Sequence, residues 1–509
     1  MAHCEPAPAS SPPRRPARPL RGACLTASVA VLAACAAGPD YVKPALELPA
    51  AYKEAGPWKT AEPRPAGSGQ AWWTVYADPT LDTLMADAER ANPNLRVAEA
   101  QYREAKALAA QARAGFWPDL GVQASDTRAR TVSPSVKVAT VYTAGLAASW
   151  EPDLWGAVRR SVESGEASST ASADDLAAAR LSIQSALAQD YLQLRYTDRL
   201  RDLYAATTTA YTRALQLTRA QHAAGVALQS DVALAEAQLT STQAQAVDLE
   251  LSRAQLEHAI AVLTGRTPAQ FSLAPADAQH PFDAALPATP VGLPSELLER
   301  RPDIAAAERR VAAANAQIGV ARAAWFPTIT LSAADGGVGI AVSRLLESPE
   351  HVWSVGAALA ATLFDGGLRS ARDDQAVAAY DAAAATYKQT VLAGFQQVED
   401  ELATLRILDQ ESVLQAQAVK ASQQAEELSL RQYRAGTALY LSVITAQTLA
   451  LSNERTAVQL RARELAASVS LIAATGGGWQ VGTPVSAAPA SSPAAAATAP
   501  SPVSQGSAS

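Results

Sequence analysis

The chain has 509 residues, a formal net charge of −7, 18% charged and 6% aromatic side chains. That balance excludes a basic nucleic-acid surface. Ala, Leu, Gln and Val dominate long stretches, a composition of long helices packed through small side chains and not of a compact sandwich. Beyond the N-terminus there is no apolar run of about 18 residues, so no transmembrane helix is expected in the mature chain.

The chain opens with Arg14, Arg15, Arg18 and Arg21 ahead of an apolar run from about Ala23 to Ala34, the basic and apolar regions of a secretory signal (residues 1–34). The run ends in Leu32-Ala33-Ala34-Cys35, which resembles a bacterial lipobox. Small residues before the cut let the peptidase grip the chain, and the Cys35 thiol accepts the diacylglyceryl group. An ordinary signal peptide with an incidental cysteine is the alternative reading. Cys24 fits less well, because Arg21 lies three residues before it. Cys4 and Cys24 would leave with the signal and lipid would consume Cys35, so the exported chain needs no disulfide.

Residues 35–75 form a Pro-rich strap, with Pro44, Pro49, Pro57, Pro63 and Pro65 precluding a regular helix. The tail 483–509 is Ala/Pro/Ser low complexity, the composition of a disordered segment. Between them lie two repeats, 76–265 and 295–482, joined by a Pro-rich linker over 266–294. One half reads "NPNLRVAEAQYREAKALAAQARAGFWPDL" from Asn92 and the other "RPDIAAAERRVAAANAQIGVARAAWFPTI" from Arg301. Each continues with an alternating stretch, a loop, a second alternating stretch, a turn ("LAASWEPDLWG" or "LAATLFDGGLR") and a very long helical pattern. Matching element order, length and glycine positions mark a duplication.

The periodicities name the elements. Ile183, Leu187, Tyr191 and Leu194, like Val391, Phe395, Val398, Leu402 and Leu405, follow a heptad seam. Gly156 to Gly225 has no proline and would span roughly 100 Å as a helix; Asp365 to Gly436 matches it. After Pro118, Leu120, Val122 and Ala124 share one face of a strand. After Pro327, Thr328, Thr330 and Ser332 share one face while Ile329 and Leu331 take the other. Return strands are expected near 141–150 and 352–363, giving hairpins at about 118–150 and 327–363. "GGVG" (336–339) is expected in the loop between the second pair of strands. The strands have the length that crosses a bilayer when tilted. An open sheet edge in lipid leaves backbone groups unsatisfied, so four strands per chain call for several copies to close one barrel. Dimers or trimers would both close.

Cys35 followed by "GPDYVKP" (38–44), "WW" (72–73), "NPNL" (92–95), the "GFWPDL"/"WFPTI" pair, "DLWG" and "LFDGG" together resemble the TolC-like outer membrane factor family, in its OprM-like lipoprotein branch. The resemblance runs from Cys35 to Trp479. It implies a mainly α fold with a small β part: an internally duplicated, long-helix α-barrel plus four membrane strands per chain, closing a shared 12-stranded β-barrel in a homotrimer. It also implies an outer membrane exit duct for small molecules in a tripartite efflux system. The partners would be a periplasmic adaptor, an inner membrane RND-type pump and outer membrane lipid, with no nucleic acid. No catalytic residue, metal or cofactor is expected beyond lipid on Cys35; the five histidines are scattered with no metal-ligand spacing.

Gly225 and Gly436 interrupt the long helices where a reversal needs left-handed backbone. The resemblance makes these reversals periplasmic tips, with Gly225, Val226, Arg434, Gly436 and Thr437 meeting the adaptor; glycines that serve only the turn are the alternative. The family closes its pore with an apolar and an acidic ring just past the tip. Leu441 matches the apolar member, but Thr445 stands where an aspartate is usual. Asp231 could supply an acidic ring from the first half, or be a solvated surface residue. At the helix-to-strand junctions, Phe116 and Trp117 before Pro118, and Trp325 and Phe326 before Pro327, fit the membrane–water interface or core packing. Two competing classes stay open: an exit duct for protein secretion and a lipid-anchored periplasmic coiled-coil scaffold. Cys35→Ser is expected to abolish incorporation of radiolabelled palmitate, and persistent labelling would point to another anchor.

Overall fold

The structure is a computed structural model that describes residues 37–45, 49, 51–54, 71–131, 137–275, 300–345 and 351–477. The signal peptide, Cys35, part of the strap, most of the Pro-rich linker and the tail lie outside the described residues. The helices are α1 (Pro79–Ala91), α2 (Pro93–Ala114), α3 (Ala157–Ala223), α4 (Gln229–Leu263), α5 (Pro302–Ala323), α6 (Leu368–Arg434) and α7 (Tyr440–Ala474). The strands are β1 (Asp119–Thr131), β2 (Lys137–Trp150), β3 (Thr328–Gly339) and β4 (His351–Ala360). Short 3-10 turns occupy Trp72–Tyr76, Pro268–Gln270 and Val342–Arg344.

The duplication is visible in the lengths. α2 and α5 each have 22 residues, α3 and α6 each 67, and α4 and α7 each 35. Contacts are duplicated too. Asn92, ahead of α2, donates its side-chain amide to the Leu263 carbonyl at the end of α4 (2.7 Å). Arg301, ahead of α5, donates to the Ala474 carbonyl at the end of α7 (3.1 Å). Each satisfies a last-turn carbonyl that has no partner within its own helix.

Two compact units divide the chain. One contains the chain up to Glu47, Glu99–Asp175 and Asp303–Ala393; the other contains Leu48–Ala98, Leu176–Pro302 and the chain from Gly394. The second unit holds an apolar core where Trp72 and Trp73 join Leu81, Leu84 and Met85 of α1, Ile183, Leu187, Tyr191 and Leu194 of α3, Ile260 and Val469. The heptad seam is therefore a core seam, with Leu187 and Leu194 at 0% exposure. Asp78 accepts from the Thr80 and Leu81 amides at the start of α1 and from the Tyr191 hydroxyl (2.8, 3.2 and 2.5 Å), coupling a helix cap to that seam. Asp198 on α3 takes ion pairs from Arg195 and Arg253 (3.1 and 2.8 Å). Both arginines also donate to carbonyls of the chain leaving α4, at Ala274 and Leu273.

In the first unit the four strands form one antiparallel sheet in the order β1-β2-β3-β4. β2 and β3 pair from Trp150↔Leu331 to Tyr142↔Gly339, although they come from different repeats. β3 starts earlier than that pairing, at Thr328, which pairs with Ala360 of β4. Two expectations fail here. "GGVG" lies inside β3, because Gly336 faces Gly145 of β2 and a side chain on Gly336 would collide with the backbone of Ala144 and Gly145; glycine in this strand permits a close approach. The last strand ends at Ala360, short of 363, because its partner ends at Thr328, next to Pro327, which has no N–H to pair.

The strap segment 37–45 docks on the same unit. The Ala37 amide donates to the Trp155 carbonyl (3.0 Å) and its carbonyl accepts from Arg160 (3.2 Å). Arg160 also binds Asp40 and Glu163 (2.8 and 2.7 Å), and the Tyr41 hydroxyl bonds to buried Glu308.

Nearby, Asp174 faces Arg309, Asp175, Glu308 and Arg310, and burial pushes its carboxyl from 3.8 up to about 6. Its folded value exceeds the unfolded one, so native protein holds a proton that the unfolded chain has released, and stability falls as pH rises through that window. Asp174→Asn is expected to raise the apparent unfolding temperature near about pH 8 and to leave it unchanged below about pH 4. Equal effects at both pH values in thermal unfolding would contradict this.

Candidate functional site: strand junctions and hairpin tips

At each junction the helix tightens and stops at a proline. The Phe116 and Trp117 amides donate to Arg113 and Ala114 (3.2 and 3.0 Å), and those of Trp325 and Phe326 to Arg322 and Ala323 (3.2 and 3.1 Å). Pro118 and Pro327 follow, and the chain enters β1 and β3. Two tryptophans then clamp the junction backbone: Trp150 Nε1 donates to the Phe116 carbonyl (3.0 Å) and Trp155 Nε1 to the Pro327 carbonyl (2.6 Å). Phe326 stacks on Trp155 at 4.9 Å, and the Arg369 guanidinium lies over Trp325 at 4.8 Å. Asp365 holds Arg369 (2.6 Å), and that guanidinium keeps the Asp365 carboxyl below its usual range. The four junction aromatics divide accordingly. Trp325 and Phe326 pack partly on protein, whereas Trp117 is 76% exposed.

Register and pleat sort the sheet into two faces. One carries Leu120, Val122 and Ala124 of β1, Leu146, Ala148 and Trp150 of β2, Ile329, Leu331 and Ala333 of β3, and Trp353, Val355, Ala357 and Leu359 of β4. The other carries Gln123, Ser125, Thr143, Ala147, Thr328, Thr330, Ser332, Ser354 and Gly356. The apolar band is exposed in the single chain, with Val122 at 82% and Val355 at 76%. Asp335 interrupts it but pairs with His351 (2.8 Å). An apolar band backed largely by small and polar residues is the alternation of a strand with lipid on one side and water on the other.

Both reversals have one geometry. Gly225 and Gly436 each have φ 72°. Val226 donates to Gln221 and Gly225 to His222 (2.8 and 2.9 Å), and Thr437 donates to Gln432 and Gly436 to Tyr433 (both 3.0 Å). This paired closure of a helix end requires left-handed backbone at its penultimate residue. Val226, Leu228, Leu439 and Leu441 are exposed apolar side chains around the two turns, and Arg434 and Thr437 are exposed beside them. Beneath, Leu215, Val232, Ala235, Tyr433, Tyr440 and Val443 form a compact cluster, with Tyr433 and Tyr440 rings 5.1 Å apart.

Leu441 and Thr445 lie one turn apart on the exposed face of α7, and Thr445 returns its hydroxyl to the Leu441 carbonyl (2.9 Å). Asp231 sits differently. It is the third residue of α4, whereas Thr445 is the sixth of α7, and its carboxylate accepts the Leu228 amide at the helix start (3.1 Å). Burial pushes the Tyr440 hydroxyl up, and nearby Tyr433 and Asp231 add to that shift. Asp231 therefore caps a helix and faces Tyr440, and its counterpart by position is Ser442.

Sequence reasoning gave no role to Trp150, Trp155, Asp365 or Arg369. "DLWG" and "LFDGG" drew attention as recurring strings, but the clamp joins the first repeat's Trp155 to the second repeat's Pro327, a pairing that no local pattern announces.

Known proteins match this arrangement. The model of the family described as outer membrane efflux protein matches residues 84–266 and 293–477. The pyoverdine export outer membrane protein OpmQ of Pseudomonas aeruginosa is 32% identical over 467 residues, 90% of this chain and 96% of the relative. The toluene efflux pump outer membrane protein TtgC of Pseudomonas putida is 28% identical over 465 residues, 89% of this chain and 95% of the relative. The solved outer-membrane channel OprN superposes with a TM-score of 0.82 at 32% identity, covering 88% of this chain and 100% of that one. The chain belongs to the outer membrane efflux protein family, whose members are exit ducts in the outer membrane.

Proposed function

We propose that three copies of this chain close a single 12-stranded β-barrel from their four-stranded sheets and continue it as an α-barrel of their long helices, making a passage for small molecules. The observation that carries this reading is a sheet whose edge strands, β1 and β4, have no partner among the described residues while one face carries an exposed apolar band. An isolated sheet of this kind cannot rest in hydrocarbon, and the smallest bacterial barrels need about eight strands. The apolar band faces lipid and the polar face the lumen. Trp117 and its neighbours mark the inner interface, and a diacylglyceryl group on Cys35 anchors the same end. Cargo is a class of small molecules, in keeping with the pyoverdine and toluene named for the two relatives; selection belongs to the pump upstream.

At the tips, Gly225, Val226, Arg434, Gly436 and Thr437 meet a periplasmic adaptor, which links the duct to an RND-type inner membrane pump. Exposed apolar side chains grouped around the two turns, Val226, Leu228, Leu439 and Leu441, support that role, since such a grouping marks an interaction surface. Leu441 supplies an apolar constriction. Thr445, bonded to its own helix, supplies no charge, which leaves Asp231 as the acidic candidate despite its capping bond.

Two measurements test this reading. The full chain reconstituted in liposomes is expected to give detergent-resistant, heat-modifiable trimers that conduct ions; a monomer freed intact by removing the lipid would establish the scaffold instead. Asp231→Asn is expected to lower the cation selectivity of the trimer, and unchanged selectivity would remove Asp231 from the pore.

A further inference from the structure

The apolar face of the first hairpin does not stay apolar to its end. Beyond Leu120, Val122 and Ala124 the same pleat carries Asp126, Arg128 and Arg130, with Tyr142, Thr140 and Val138 opposite them on β2. A tilted strand crosses the hydrocarbon in about 9–11 residues. Counted from Asp119 at the junction, that length brings Arg128 and Arg130 to the far interface. Both are exposed, and neither has an ion-pair partner among the described residues. The second repeat shows that the barrel itself does not need them. At the equivalent steps after Thr328, β3 has Gly337 and Gly339.

We infer that Arg128 and Arg130 form a binding site for a phosphorylated glycolipid of the outer leaflet, of the lipid A type, with one site per chain. The inference rests on the barrel reading above. Its acyl chains lie along the apolar band of β1 and β2, and its phosphates meet the two guanidiniums, whose planar fork matches phosphate oxygens. Two guanidiniums against one carboxylate leave a positive excess for the anion. Asp126 and the Tyr142 hydroxyl, one step nearer the band, offer an acceptor and a donor to sugar hydroxyls. A soluble anion would make no use of the apolar surface directly below; a lipid uses both.

The test uses full-length lipidated protein in phosphatidylcholine nanodiscs supplied with diphosphorylated lipid A or its dephosphorylated form, with bound lipid counted by native mass spectrometry. Wild type is expected to retain the diphosphorylated lipid, and Arg128→Gln/Arg130→Gln to bind it about thirtyfold more weakly. The dephosphorylated lipid should bind both alike. Arg128→Lys/Arg130→Lys, which keeps the charges, should fall between them and serves if the glutamine variant fails to assemble. Equal retention by wild type and an assembled variant overturns the site while leaving the barrel intact. Failure of wild type to form heat-modifiable trimers in the bilayer overturns the barrel, and the site with it.

Discussion

A backbone N–H or C=O group in hydrocarbon has no water to turn to, so a sheet that enters a membrane must leave no edge unpaired. That constraint organises this chain. Among the described residues its four strands offer two unpaired edges, β1 and β4, and an apolar band left exposed. On the trimer reading proposed above, another copy's edge satisfies each edge and lipid covers the band. The junction clamps serve the same constraint from the other side. Trp150 and Trp155 take up the Phe116 and Pro327 carbonyls where the helix ladder has ended and the strand ladder has not begun.

Duplication reaches the sheet through its middle. β2 and β3 come from different repeats yet pair as regularly as strands within a hairpin. Equal lengths of 67 and 35 residues in the two long hairpins keep both reversals at the same distance along the chain from the sheet. Two places where the halves differ are Asp231 against Ser442 past the turns, and Arg128 and Arg130 against Gly337 and Gly339 on the sheet. A frame set by helix length and strand register tolerates such changes, because neither depends on those side chains.

The features legible in the sequence were those with a local period. The heptad seam through Ile183, Leu187, Tyr191 and Leu194 emerged as core, and the alternation after Pro118 and Pro327 emerged as two faces of one sheet. "GGVG" misled because glycines signal turns in isolation. Here they relieve a close approach between β2 and β3, a fact of pairing that is written in no single segment. The clamp from Trp155 to Pro327 was hidden for the same reason, since it spans the two repeats. Asp231 aligns by position with Ser442, three residues short of Thr445, so the first repeat offers its carboxylate nearer the reversal than the family's acidic position.

The strap gives the N-terminus a structural part to play. Ala37 is held by its amide to Trp155 and by its carbonyl to Arg160, and Arg160 in turn holds Asp40 and Glu163. Trp155 is the residue that clamps Pro327 at the second junction. A lipid on Cys35 would thus be tethered, two peptide units away, to the place where helix becomes strand. An anchor on a loose leader would leave the depth of the sheet unspecified. With a diacylglyceryl group on Cys35, the anchor and the apolar band would act at one level, and engagement of either would raise the effective concentration of the other at the bilayer. Arg160 is 6% exposed, and its bonds to Ala37, Asp40 and Glu163 account for a basic residue held in the packed start of α3.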